Sequence, residues 1–142
     1  MDINEVMKLL PHRYPFLMVD RILEIVPGEK ALGLKNVTIA EPVFNGHFPN
    51  QPILPGVLML EAIAQVGACA LLADDKYKHK LALLAGFDKV RFKRQVIPGD
   101  RLIISAELIT MKGNIGKGKG SVTVDGEFVC GGEYMFALAE QI

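Results

Sequence analysis

From Pro55 to Leu72 the chain would make a helix that is apolar on almost every side, and its only charge is Glu61. Between Leu58 and Leu72 the polar positions are Glu61 and Gln65, four apart, which puts both on one helix face. At about 100° per residue, Leu58, Glu61, Gln65, Ala68 and Leu72 form one stripe, and the rest of the surface is Leu, Ile, Val, Met, Ala, Gly or Cys. A helix like this has to be enclosed by other structure. Pro55 suits its first position, where a missing N–H does no harm. From there to Leu72 it would be roughly 27 Å long, too short and too polar to span a membrane, which takes ~20 predominantly apolar residues. The expectation is a buried central helix with one acid in it.

The flanking segments say what encloses it. Asp2-Ile3-Asn4-Glu5 has the form of a capping box, followed by Val6, Met7 and Leu10 at helical spacing until Pro11 ends the run. Phe16 to Val26 and Lys30 to Val37 read as a hairpin turning at Pro27-Gly28. Thr38 to Leu54, with Pro42, Pro49 and Pro52, reads as a long ordered loop of the kind that carries function. After the helix come strand-like segments at Leu81 to Gln95, Arg101 to Met111, Ser121 to Val124 and Glu127 to Ala139. The last two turn at Asp125-Gly126, a strong hairpin signal. Residues 1–142 are expected to form one α+β domain, a curved antiparallel sheet wrapped around one central apolar helix. A curved sheet leaves edges, and pairing them between two copies removes them, so a homodimer at least is expected.

Formal net charge is zero, so nothing global points to nucleic acid or a membrane surface as a partner. Met1 to Glu5 lacks the basic and apolar regions of a secretory signal. Cys69 and Cys130 read as small buried hydrophobes, free thiols in a reducing cytoplasm, with a disulfide between them as the alternative.

The chemistry-bearing pair is His47, in the loop Gly46-His47-Phe48-Pro49, and Glu61. Histidine is the usual proton carrier near neutral pH. A glutamate enclosed by Leu, Met, Ile and Ala has its pKa raised by desolvation, which lets it serve as an acid. One base and one acid facing an apolar cavity suit proton abstraction beside a carbonyl with loss of a leaving group. The plain alternative is that Glu61 caps a backbone N–H and His47 only shapes its loop. Gly56 and Val57 lie at the helix N-terminus, where free N–H groups make an oxyanion-hole candidate, or simply a Pro-Gly helix entry. With them, Gln65 and Phe48 are the candidates for lining a substrate. Gly113 to Gly120 shows part of a phosphate-loop spacing, but Gly120 stands where Ser or Thr is required and a strand follows, so it reads as a flexible hairpin connection. Lys89, Arg91 and Lys93 alternate with Val90 and Phe92, with Arg94 next, which makes a basic strand face for an acidic or phosphorylated partner, or merely a solvated one. His12 and His79 have no Cys, Asp or His at ligand spacing, and no metal site is expected.

Taken together, Leu10-Pro11-His12-Arg13-Tyr14-Pro15-Phe16-Leu17, Gly46-His47-Phe48-Pro49, Leu54-Pro55-Gly56-Val57-Leu58 with Glu61-Ala62 and Ala64-Gln65, Phe92 to Val96, and Pro98-Gly99-Asp100 resemble the bacterial (3R)-hydroxyacyl-[acyl-carrier-protein] dehydratases of fatty-acid elongation. The resemblance implies a hot-dog fold, a dimer assembled three to a hexamer, catalysis without a cofactor, and acyl carrier protein as the partner that brings the substrate. It implies His47 as the base at C2, Glu61 of the partner subunit as the group that expels the 3-hydroxyl, and the Gly56 N–H as holder of the thioester carbonyl. Basic residues would dock the acidic carrier. Asn50 stands where the family often has Gly, which bears on loop shape alone, and Glu61 stands where the related dehydratase–isomerases have Asp. Two rivals are a thioesterase on the same fold, in which the helix acid activates water, and a non-catalytic acyl-binding module.

Overall fold

The computed structural model describes residues 1–141. Its elements are α1 (Ile3–Leu9), β1 (Arg21–Val26), β2 (Lys30–Asn36), a 3-10 turn (Pro42–Asn45), α2 (Gly56–Leu72), β3 (Lys80–Phe92), β4 (Arg101–Lys112), β5 (Ile115–Val124) and β6 (Glu127–Glu140). The strands make one antiparallel sheet in the order β1-β2-β4-β5-β6-β3, which leaves β1 and β3 at its edges. Register shifts at Leu84/Gly86, Asp88/Arg91, Leu108/Thr110 and Val122/Thr123 bend the strands. The bent sheet wraps α2, which contributes Ala62, Ile63 and Val66 to the deepest part of the core. This is the hot-dog arrangement, and the helix is apolar all round because its own sheet surrounds it.

Local signals explain most element ends. The Asp2 side chain accepts the Glu5 N–H at 3.0 Å and Glu5 accepts the Asp2 N–H at 2.8 Å, a complete capping box. Asp125 and Gly126 both take positive φ, as a two-residue hairpin of this hand requires. Pro55 is the residue that caps α2 rather than its first turn, with ψ 132.

Two expectations need correction. The first strand starts at Arg21, not Phe16. Buried Gln65 takes the Met18 N–H at 2.8 Å and gives its own N–H to the Phe16 carbonyl at 2.8 Å, so this stretch spends its hydrogen bonds on α2 instead of a ladder. The Gly/Lys stretch is no flexible connection either, since β5 already begins at Ile115 and only Gly113 and Asn114 turn. Along it Gly116 and Gly118 are buried while Lys117 and Lys119 are exposed, the period of a strand. A Cβ on Gly116 would fall 2.3 Å from the Phe136 ring and one on Gly118 2.3 Å from the Tyr134 ring. Glycine is there to admit those rings, and the sequence disguises a strand as a loop.

Candidate active site

His47 follows the 3-10 turn and is half-buried. Its N–H bonds the Val43 carbonyl at 3.1 Å, its carbonyl accepts the Ile53 N–H at 3.1 Å, and Phe48 and Gln51 exchange two backbone bonds of 3.0 Å. The loop is therefore tied down on both sides of the histidine. His47 Nδ1 lies 2.7 Å from the Ile53 carbonyl oxygen. A carbonyl only accepts, so Nδ1 carries the hydrogen and the neutral ring presents a free lone pair at Nε2. The ring stacks on Phe48 at 3.9 Å between centroids, while the other face of Phe48 stays open to solvent. Asn50 is exposed and does not figure among the left-handed non-glycine residues, which are His79, Lys89 and Asp125, so a side chain at this position costs no strain.

Glu61 sits one turn into α2 with 15 % of its side chain exposed. Burial pushes its carboxyl above the ordinary carboxylate range, and hydrogen bonding from Gln65 offsets part of that. The structure adds a residue that spacing alone did not single out. His12, from the loop after α1, brings its Nε2 to 3.9 Å from Glu61 Oε1, with Nδ1 buried and unpartnered. Burial and then the Arg13 guanidinium draw His12 below its usual value. At 3.9 Å this is not a hydrogen bond, and burial biases both groups toward their uncharged forms. His12 and Glu61 form a partly desolvated contact.

Beside that contact lies a cavity of about 190 Å³. It follows one face of α2 past Ala64, Ala68 and Leu71, with Leu83 of β3 and Tyr134 and Phe136 of β6 opposite. His47, Phe48, Gly56 and Val57 do not line it, so among the described residues one chain supplies only the acid half of the expected pair to this cavity. Gln65 lines it, but both ends of its amide are engaged by Phe16 and Met18. Gly56 opens α2 under the Phe92 ring, and a Cβ there would come within 2.6 Å of it. Val57 next to it is 68 % exposed, which leaves the helix N-terminus approachable from solvent. On the outer face, Lys89 and Arg91 share a shallow groove with Lys119. Arg94 does not join them, because it turns to Asp100 at 3.6 Å and Glu127 at 3.4 Å.

Residues 10–133 match the FabA-like domain family. The chain is 59% identical over 138 residues to a 3-hydroxyacyl-[acyl-carrier-protein] dehydratase FabZ of Syntrophomonas wolfei, an alignment covering 97% of this chain and 96% of that one. In fold it is similar to a solved dehydratase heterocomplex, ApeI:P, of Xenorhabdus doucetiae, at TM-score 0.76 and 18% identity over 96% of this chain and 91% of that one. It is similar too to a hypothetical thioesterase of Streptococcus pneumoniae solved with coenzyme A, at TM-score 0.65 and 11% identity, covering 85% and 86%.

Proposed function

This chain belongs to the FabA-like family, and from that premise we propose that His47 and Glu61 are the base and the acid of its reaction. The reaction is the removal of water from a (3R)-hydroxyacyl group on acyl carrier protein, giving the trans-2-enoyl group, a hydro-lyase step of fatty-acid biosynthesis. C2 loses a proton to His47 Nε2, C3 loses its hydroxyl, the C2–C3 double bond forms, and the Glu61 proton joins the departing hydroxyl as water. The thioester oxygen, which gains charge as C2 is deprotonated, lies against the Gly56 N–H, where a helix N-terminus favours negative charge.

The observation that carries this is Glu61 at the mouth of an apolar cavity, where burial draws its carboxyl toward the protonated form. A protonated carboxyl can donate to a leaving hydroxyl, whereas hydrolysis of the thioester would need the carboxylate as a base for water. The test incubates the protein with a (3R)-hydroxyacyl-carrier substrate and follows enoyl absorbance and free thiol together. Enoyl growth without thiol release is expected, and thiol release without enoyl would make it a thioesterase.

The two halves of the pair come from different copies in this reading. β3 is an edge strand with Leu83 53%, Leu84 42% and Phe87 38% exposed, and a second β3 paired along it would cover them. We propose a homodimer with each His47 facing the other copy's Glu61, grouped three to a hexamer as the family resemblance implies. Free, buried Cys69 and Cys130 suit a cytoplasmic enzyme, and among the described residues no helix is long and apolar enough to cross a membrane.

A further inference from the structure

The reaction needs only C1 to C3 of the substrate, so what the rest of the acyl chain meets decides which substrates are taken. The cavity beside Glu61 is the apolar space that continues from the reacting end. Its α2 wall is Glu61, Ala64, Ala68 and Leu71, a single helical stripe about 15 Å long by the helix rise. Ala64 and Ala68 leave it open on that side. On the other side stand two aromatic rings, Tyr134 and Phe136, alternate residues of β6 that face inward.

Tyr134 reaches furthest. A Cβ on Gly67 of α2 would lie 2.0 Å from its hydroxyl oxygen, and one on Gly118 of β5 2.4 Å from it. The ring therefore spans the gap between sheet and helix and ends in a slot made by two glycines, one on each. Phe136 packs beside it at 6.1 Å between centroids. Its hydroxyl is buried with no hydrogen-bond partner, although buried tyrosine hydroxyls usually have one. Leucine would fill part of this place without an unpaired polar atom, so what tyrosine adds is reach. Its tip stands at the level of Gly67, about 9 Å along the helix from Glu61.

We propose that Tyr134, seated between Gly67 and Gly118, sets the acyl-chain length this enzyme accepts. Chains that end before the ring fill the space between Glu61 and Gly67, and longer ones must pass the wedged ring to reach the part of the cavity beside Leu71. This rests on the dehydratase reading above.

The experiment compares kcat/KM for short, medium and long saturated (3R)-hydroxyacyl-carrier substrates in the wild type, Tyr134→Leu and Tyr134→Phe, with melting curves for each. Tyr134→Leu raises the long-to-short ratio by about tenfold or more, the scale on which one methylene is discriminated in an apolar pocket. Tyr134→Phe keeps the ring and holds the wild-type ratio. If Tyr134→Leu does not fold, Tyr134→Met, which fills space but bends aside, reads the same ratio. A ratio unchanged in a folded Leu or Met variant overturns the proposal. Absence of enoyl product from the wild type at every length would instead overturn the dehydratase reading.

Discussion

Burial raises the pKa of Glu61, and elimination of a hydroxyl needs a proton delivered as the C–O bond breaks. Glu61→Gln keeps the shape and loses the proposed acid, and His47→Ala removes the proposed base. Each is expected to lower kcat by about 10²-fold or more while the melting temperature stays near the wild-type value, read by single-turnover enoyl formation. Near-normal turnover in either folded variant would sink the mechanism. The pH dependence has a definite sign. The folded pKa of Glu61 lies above its ordinary 4.5, so the folded state holds the proton more tightly than the unfolded chain does. The stability this contributes is complete below 4.5 and is lost as pH rises through the folded value, and kcat should fall over the same rise. His12, drawn below 6.5, works the other way, and its contribution is lost as pH falls from 6.5 through its folded value. Denaturant titrations of Glu61→Gln and His12→Gln should each flatten one of these slopes, and unchanged slopes would remove the physical basis for the acid. His47 and Glu61 stood out in the sequence because each is a proton-carrying residue at odds with its surroundings. His12 was not, since nothing in its Pro-flanked loop says where that loop comes to rest.

At the scale of the element, sequence pattern succeeds where one periodicity dominates and fails where packing chooses residues against propensity. α2 was readable from its unbroken apolar surface around Glu61, and the β5–β6 hairpin from Asp125-Gly126. β5 was half hidden, because glycine is a poor strand residue and its use at 116, 118 and 120 only makes sense once the inner face is seen to be filled by Phe136, Tyr134 and Ile63. A Cβ on Gly120 would meet the Ser105 carbonyl oxygen at 2.4 Å and Ile63 at 2.5 Å, and backbone cannot step aside. Gly120→Ala is expected to cost about 1–3 kcal/mol, whereas exposed Lys117→Ala stays within about 0.5 kcal/mol. Thermal melts of the two separate a packed strand from a loose loop. β3 carries a prediction about binding. Arg91 lines the outer groove, and the next residue, Phe92, covers Gly56, so a carrier held at Arg91 would have the Gly56 N–H proposed for the thioester close by. Arg91→Glu should raise KM for the carrier-bound substrate and weaken its salt dependence while leaving a small thioester analogue unaffected. Equal effects on both would remove Arg91 from docking.

For the whole molecule the decisive quantity is how many copies make one site. The Glu61 cavity is walled in part by Leu83 and Leu84 of β3, the edge strand whose apolar side chains remain uncovered in one chain, and His47 takes no part in that wall. If His47 and Glu61 share one site, as proposed, the pairing that buries this edge is the one that can complete it. No pattern within a single chain encodes that, because periodicity reports which face is buried and not by whom. The consequence can be measured with two dead proteins. In a dimer of His47→Ala with Glu61→Gln, one site combines both lesions and the other combines intact His47 of one copy with intact Glu61 of the other. If the copies exchange at random, half the dimers are mixed and each mixed dimer has one working site of two, so activity recovers to about a quarter of the wild type. Mass measurement of the mixture confirms that exchange has taken place. If both residues served the site from the same chain, every site would carry one lesion and no recovery would follow at any mixing ratio. Leu83→Glu, placed on the exposed edge, should both dissociate the proposed dimer and abolish turnover while the monomer keeps its far-ultraviolet signature, since a charge at a paired edge has no water to meet. Turnover by that monomer would place the complete site within one chain.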